Sequence, residues 1–343
     1  MLPTSSSPTR FMRPRSRGSA HLVIILVLVI YIVYLHTNGS PYDSLSRSQL
    51  VPFSRRSTSA ANRHVLQSQQ MVLTTDKSGW ASTHGKAGAS IYQRPLTPVP
   101  KGDMRIAIAS MNTMESTYDH ISLSGKFGYA TKHNYGIKMD LAVPKGFRAG
   151  AVWHKLNMVE YLVRTGDYDW IWWIDYDTVI TNTTVKLEDI IAEALHSEKV
   201  KSPQDIHMIL TADCWPLNAG SMLLRSTPLM LEFLSDVWKC GDTEDDQNRP
   251  NEQSCILDVI EAKPFWKSRA MWIPQTKINA FPSEISCFDK HQKGWTPGDF
   301  VVHFPGAWAH LQDIKDPYGV LMRKYNEWVE YVHPGSLFFD MGC

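Results

Sequence analysis

Among its five cysteines the sequence has no C-x-x-C pair, so the thiols do not read as a zinc site. It has no charge excess of either sign, with 35 Lys and Arg against 34 Asp and Glu. A nucleic-acid partner would want a basic face or stripe, so that class is set aside. No acidic block closes the chain and no internal repeat is visible, which removes an acidic disordered tail and a repeat array. Between Arg17 and Arg47 there is no Lys or Arg, and Ala20 to Leu35 is apolar apart from His21 and two tyrosines near its far end.

That last absence fixes a topology. Arg10, Arg13, Arg15 and Arg17 precede the apolar run, so the positive-inside rule places the N-terminus in the cytosol and everything after Leu35 in the lumen. As a helix the run spans about 24 Å, a little short of a ~30 Å hydrocarbon core. Thin early secretory membranes accommodate such a span. No clear small-x-small cleavage site follows, which favours a retained anchor over a signal peptide. The reading is a single-pass type II Golgi membrane protein. Residues 1–19 form a cytosolic tail, 20–36 a signal anchor, 37–102 a stem rich in Ser, Thr, Gln and Pro, and 103–343 the catalytic domain. In a lumen, one or two disulfides are expected among Cys214, Cys240, Cys255, Cys287 and Cys343, with at least one thiol left over. Of the two N-x-S/T acceptors, Asn38 sits almost against the membrane and Asn182 is the candidate for glycosylation.

From Asp103 onward strands and helices alternate, which predicts an α/β fold with a mostly parallel sheet. Arg105–Ala109, Ile137–Leu141, Trp170–Ile174, His207–Thr211, Ser221–Leu224 and Phe300–His303 read as strands. His120–Asn134, Val152–Arg164, Leu187–Leu195, Pro228–Trp238, Glu252–Ile260 and Tyr318–Val332 read as helices. The strand WIWWI is apolar at every position, which places it mid-sheet with helices on both faces.

Asp175-Tyr176-Asp177 closes that strand at its carboxyl end, where open α/β sheets collect ligands. Two carboxylates there suit a hard divalent cation. On a regular strand they would face opposite sides, so both reach one ion only if the chain turns, and the 178–184 stretch reads as that turn. Alone, D-x-D is a common pair of solvated turn residues; its neighbours decide.

Six ordered blocks supply those neighbours: Tyr129-Ala-Thr-Lys-His-Asn-Tyr135, Trp153-His-Lys155, Trp170-Ile-Trp-Trp-Ile-Asp-Tyr-Asp177, Leu217-Asn-Ala-Gly-Ser-Met-Leu-Leu-Arg225, Asn251-Glu-Gln-Ser254 and Gly298-Asp-Phe-Val-Val-His-Phe-Pro-Gly306. Together, over about Arg105 to His310, they resemble glycosyltransferase family 34. That family comprises the fungal galactosyltransferases and α-mannosyltransferases and the plant xylosyltransferases. The resemblance implies a GT-A fold, a Rossmann-like nucleotide-sugar-binding sheet, and retaining transfer of a hexosyl group from a nucleotide sugar with manganese. By matching position, Asp175, Asp177 and His303 are the implied metal ligands and Lys155 the diphosphate contact. Asn218 and Gly220 line the donor sugar, Gly306 belongs to the donor side, and Glu252 and Gln253 lie beside the anomeric carbon.

The resemblance further implies GDP-mannose or UDP-galactose as donor. The implied acceptor is a mannan, a galactomannan or an N- or O-glycan, and the setting can include a Golgi glycosyltransferase complex. The chain departs from the family pattern after Gly306, where Ala307-Trp308 replaces the family's frequent Cys and the lysine that follows it in the plant branch, which points away from a plant-type xylosyltransferase, and at Ala219, where the family has Thr. Singly, each residue has a blander reading: His303 as a packed histidine, Lys155 as a solvated helix face, Glu252 as a helix-start acid, Asn218 and Gly220 as a turn. Two other functions compete. Ile174-Asp-Tyr-Asp-Thr-Val179 resembles the nucleophile motif of haloacid-dehalogenase phosphatases, with Asp175 as nucleophile, although Arg105–Ala109 already supplies an earlier strand. A silent subunit of a glycan polymerase complex is the other, and the intact Asp175, Asp177, Glu252 and His303 set argues against it.

Overall fold

The computed structural model describes residues 90–329 except 114, 143–149, 199 and 243–248. The tail 1–19, the anchor 20–36, Asn38, Cys343 and most of the stem 37–102 lie outside the described residues. Among the described residues no helix is long and apolar enough to cross a membrane.

The first half of the fold runs β1 (Ser90–Gln93), β2 (Ile106–Met111), α1 (Asp119–His133), β3 (Gly136–Asp140), α2 (His154–Thr165), β4 (Trp170–Ile174), β5 (Thr178–Ile180) and α3 (Leu187–Leu195). The second half runs β6 (Met208–Thr211), β7 (Ser221–Arg225), α4 (Pro228–Gly241), α5 (Glu252–Ala262), α6 (Pro264–Lys267), β8 (Ala270–Ile273), β9 (Val301–His303), α7 (Ala307–His310) and α8 (Pro317–Asn326).

Seven strands form the main sheet in the order β1-β3-β2-β4-β7-β6-β8. The α/β expectation holds, but the sheet is more mixed than expected. Strands β1 and β7 run against the other five, so three of the six pairings are antiparallel. The reason for β7 is chain length. Residues 212–220 are all that join β6 to β7, fewer than the dozen or so a parallel crossover needs. Strand β1 falls inside the segment read as stem, and it pairs with β3 from Ser90 opposite Asp140. A second correction concerns 178–184. The turn comes earlier, at Asp175–Asp177, and Thr178–Ile180 is a strand that pairs with β9 in a separate two-stranded sheet.

Strand alternation sorts the tryptophan strand into two cores. Ile171 and Trp173 face α2, α4 and α5 with Leu156, Val159, Phe233, Val237 and Ile256. Trp170, Trp172 and Ile174 face α1 and α3 with Tyr129, Ala130, Leu187 and Ile191. At ~25 cal/mol per Å2 and roughly 150–250 Å2 buried per aromatic, each indole contributes about 4–6 kcal/mol before the entropy of ordering it. This anchored strand sets the height at which Asp175 and Asp177 leave the sheet.

His207, buried just before β6, carries a pH dependence unrelated to the site. Burial first, then the Arg225 and Arg269 guanidiniums, push its imidazole down to about 4. The fold thus prefers the neutral ring, whose unfolded pKa is ~6.5. Its contribution is present in full above about pH 6.5 and is lost as pH falls from there through 4. Melting temperatures of His207→Gln are expected to fall less between pH 7 and pH 5 than those of the wild type, and equal slopes would remove this assignment.

Candidate functional site

The site lies at the carboxyl ends of β4 and β6, where β9 crosses from the small sheet. Thr178 pairs with His303, and the Phe304 amide donates to the Asp177 carbonyl at 3.1 Å. That register brings residues far apart in sequence together. Ligand atoms of Asp175, Asp177 and His303 all lie within 4.8 Å of one another. His303 Nε2 stands 3.6 Å from Asp177 Oδ1 and 3.9 Å from Asp175 Oδ2.

The imidazole's tautomer follows from a buried chain of amides. Asn218 Nδ2 must donate to the Asp213 carboxylate, at 2.9 Å, which turns Asn218 Oδ1 towards Asn279. Asn279 Nδ2 donates to that oxygen at 3.0 Å and to Thr211 Oγ1 at 3.0 Å. Asn279 Oδ1 is then left to accept from His303 Nδ1 at 2.8 Å. In the neutral ring the proton sits on Nδ1, and the bare Nε2 lone pair faces the two carboxylates.

This donor set fits a hard divalent ion. Ligands at ~2.1 Å from one octahedral ion stand about 3–4.3 Å apart. Two carboxylates and one imidazole form a donor set for a divalent ion, with the remaining positions open to a ligand. The two carboxylates keep 31% and 19% of their side-chain surface, whereas His303 is fully buried behind them. A second group of metal-ligating types among the described residues, Asp213 with Cys214 and Cys287, is spoken for, because the two cysteines form a disulfide.

Each neighbour has a defined task. The Trp173 indole N–H donates to Asp175 Oδ1 at 2.7 Å and sets that carboxylate's angle. Gly220 backs onto His303, and a Cβ there would collide with the imidazole ring. Its requirement is space for the ligand, a tighter constraint than lining a sugar. Gly306 sits at φ +61 with open space around its Cα, so its requirement is the left-handed turn into α7. Tyr318 lies near this turn; burial, then the Asp177 charge, push its phenol up to about 12.

On the opposite side, Lys155 and Glu252 form a buried ion pair at 2.7 Å. Lys155 also donates to the Ala219 carbonyl at 3.2 Å and lies 3.7 Å from Asp175 Oδ1. Burial pulls its ammonium down, but the Asp175 and Glu252 carboxylates more than reverse this, and its pKa ends above the ordinary lysine value. Lys155 is thus already engaged with Glu252, Asp175 and the loop that carries Gly220. The solvated-face reading fails for Lys155, and the helix-dipole reading does not account for the burial of Glu252.

Helix α5 starts where expected. Asn251 caps it by accepting from the Ser254 amide at 2.7 Å, and the Gln253 side-chain oxygen accepts from the Ala219 amide at 2.7 Å. A disulfide between Cys240 and Cys255 fastens its first turn to the end of α4. Asn182 lies on the turn after β5, half-buried, its Nδ2 donating to the Gly298 carbonyl at 2.9 Å. Sequence reasoning did not single out Asn279, Asp213 or the Trp173 indole. Only the last had a signal, its place two residues before Asp175.

Residues 104–313, more than half of the chain, match the galactosyl transferase GMA12/MNN10 family. The chain belongs to this family. Membership makes it a member of a glycosyltransferase family and sets aside the phosphatase reading. Among family members it is 27% identical over 228 residues to "Probable alpha-1,2-galactosyltransferase gmh2" of Schizosaccharomyces pombe, covering 58% of this chain and 63% of that one. It is 27% identical over 252 residues to "Probable alpha-1,6-mannosyltransferase MNN10" of Saccharomyces cerevisiae, covering 63% of this chain and 62% of that one. Against "Galactomannan galactosyltransferase 1" of Cyamopsis tetragonoloba it is 30% identical over 126 residues, 35% of this chain and 28% of that one. The chain therefore spans a little under two thirds of the length of these two fungal relatives.

Proposed function

We propose that this family member is a GT-A-type, manganese-dependent hexosyltransferase that moves mannose or galactose from GDP-mannose or UDP-galactose to a glycan, with retention. The observation that carries the reading is the metal group of Asp175, Asp177 and His303 facing the Lys155–Glu252 pair across the carboxyl edge of the sheet. When bound, the ion would hold the donor diphosphate and take up the negative charge released on it. The chain's own residues do the rest. The Lys155 ammonium adds positive charge beside the leaving diphosphate. Glu252, paired and buried, serves as a fixed negative charge near the anomeric carbon, stabilising oxocarbenium character there. That pairing is poorly suited to a free nucleophile, which favours front-face transfer over a covalent intermediate. Asn218, Gly220 and Gln253 hold the loop that closes the donor side.

On the acceptor side, Trp215 keeps 68% of its surface exposed on the β6–β7 loop, where the Asp213 carboxylate accepts from its backbone amide at 2.6 Å. An exposed indole on the loop that also carries Asn218 and Gly220 supports stacking of a sugar ring from a mannan, galactomannan or N- or O-glycan. Two disulfides support an oxidising compartment, in keeping with a Golgi lumen reached by the anchor at 20–36. The domain reading of tail, anchor, stem and catalytic region belongs to the same proposal, as does association with other Golgi transferases.

The test is donor hydrolysis by the full chain in detergent, screened across GDP- and UDP-sugars with manganese and again with a chelator. Consumption of one hexose donor, abolished by the chelator, is expected. Hydrolysis insensitive to the chelator would remove the metal, and consumption of no nucleotide sugar would remove the reading.

A further inference from the structure

Among the described residues three lysines are buried, and only two of them have an anion in contact. Lys138 pairs with Asp140 at 2.9 Å, and Lys155 pairs with Glu252 at 2.7 Å. Lys126, in the middle of α1, is 1% exposed and makes no ion pair among the described residues. Its ammonium donates instead to three uncharged oxygens: Ser122 Oγ at 2.8 Å, the Tyr176 carbonyl at 3.1 Å and the Thr178 carbonyl at 3.2 Å. Burying a cation on neutral partners is expensive. Burial pushes its pKa down to about 7, and the charges of Asp177 and Asp175 oppose that fall. A leucine or methionine would fill the same space without the penalty, so packing does not account for a lysine here.

What the ammonium holds does account for it. Its two carbonyl partners belong to the residues on either side of Asp177. Ser122, one turn earlier on the same face of α1, donates to the same Tyr176 carbonyl at 2.6 Å. Helix α1 thus grips the bend between β4 and β5 from below. With the carbonyls of Tyr176 and Thr178 drawn inward, the Asp177 carboxylate is left facing His303.

We propose that Lys126 is a positioning residue for the metal group, fixing Asp177 towards His303 through the carbonyls of Tyr176 and Thr178. It touches neither ion nor donor, and the role rests on reading Asp175, Asp177 and His303 as metal ligands. Supporting groups around metal ligands typically contribute a factor of ten to a hundred in metal affinity.

The experiment counts unbound manganese by its electron-spin resonance signal, using the full chain in detergent with UDP or GDP present. Melting temperature and turnover are followed alongside. Lys126→Met keeps the side-chain length and removes the charge and donors. Its manganese half-saturation is expected to rise by about tenfold or more, with turnover recovering towards the wild type at saturating manganese. A residue that only packs would lower the melting temperature and leave manganese binding unmoved, and that result overturns the proposal. Should Lys126→Met fail to fold, Ser122→Ala decides, because it removes one of the two ties on the Tyr176 carbonyl. A rise of about threefold in half-saturation supports the role, as the loss of one supporting hydrogen bond would give, and unchanged affinity overturns it. A wild type that binds no manganese overturns the metal reading itself, which a shift confined to the variants would leave standing.

Discussion

Asp177→Ala should abolish metal-dependent transfer while leaving the fold intact. Among the described residues its carboxylate has one ionisable side chain within 4 Å, the imidazole of His303 at 3.6 Å, and its structural task belongs to the backbone carbonyl that accepts from Phe304, which alanine keeps. Removing one of two neighbouring carboxylates also relieves their repulsion. The change in stability is therefore expected to be small, within about 1 kcal/mol. Turnover should fall by about a thousandfold or more, the equivalent of roughly 4 kcal/mol of lost charge stabilisation. Titrating manganese against the purified variant checks this, and ordinary activity at ordinary manganese would strike Asp177 from the ligand set.

For Glu252→Gln the expected loss is also in turnover, by about a hundredfold to ten-thousandfold, with donor affinity little changed, because the charge acts mainly in the transition state. Stability does not separate the readings in the way the sequence alone predicts. A helix-start acid that merely suits the dipole would give ~0.3–1 kcal/mol. The structure instead buries Glu252 against Lys155, so a neutral amide there removes the paired charge and leaves that ammonium with Asp175 at 3.7 Å as its nearest carboxylate among the described residues. Breaking a buried pair is destabilising by up to about 3–5 kcal/mol, with or without a catalytic role. Turnover measured against donor binding is the decisive pair. Near-normal turnover beside a lowered melting temperature would take Glu252 out of the reacting centre.

Much of the site was legible because its parts sit at element ends that sequence marks well. The all-apolar WIWWI run could only be a central strand, and its end delivered Asp175 and Asp177. Helix α5 starts at Glu252 as its sequence predicts, and α3 falls on the predicted bounds. Strand β5 was available and misread, since Thr178-Val-Ile180 is a β-branched run. Edge strands β1 and β8 left little trace. They are short and partly exposed, and the neighbour's ladder supplies what their own sequence does not. The direction of β7 was recoverable from its short connection to β6. Nothing local marks Asn279 or Lys126, because their importance lies in what three-dimensional packing sets against them.

The position of β9 has a bearing on how such a chain comes into being. All seven strands of the main sheet are complete by Ile273, yet His303 arrives only with the small sheet, thirty residues later. A chain synthesised from its N-terminus therefore carries Asp175 and Asp177 through nearly the whole of its assembly without the imidazole that completes the group. Architecture precedes chemistry in the order of synthesis. A product ending before β9 would retain every residue of the main sheet and both aspartates, and would still lack one corner of the metal group.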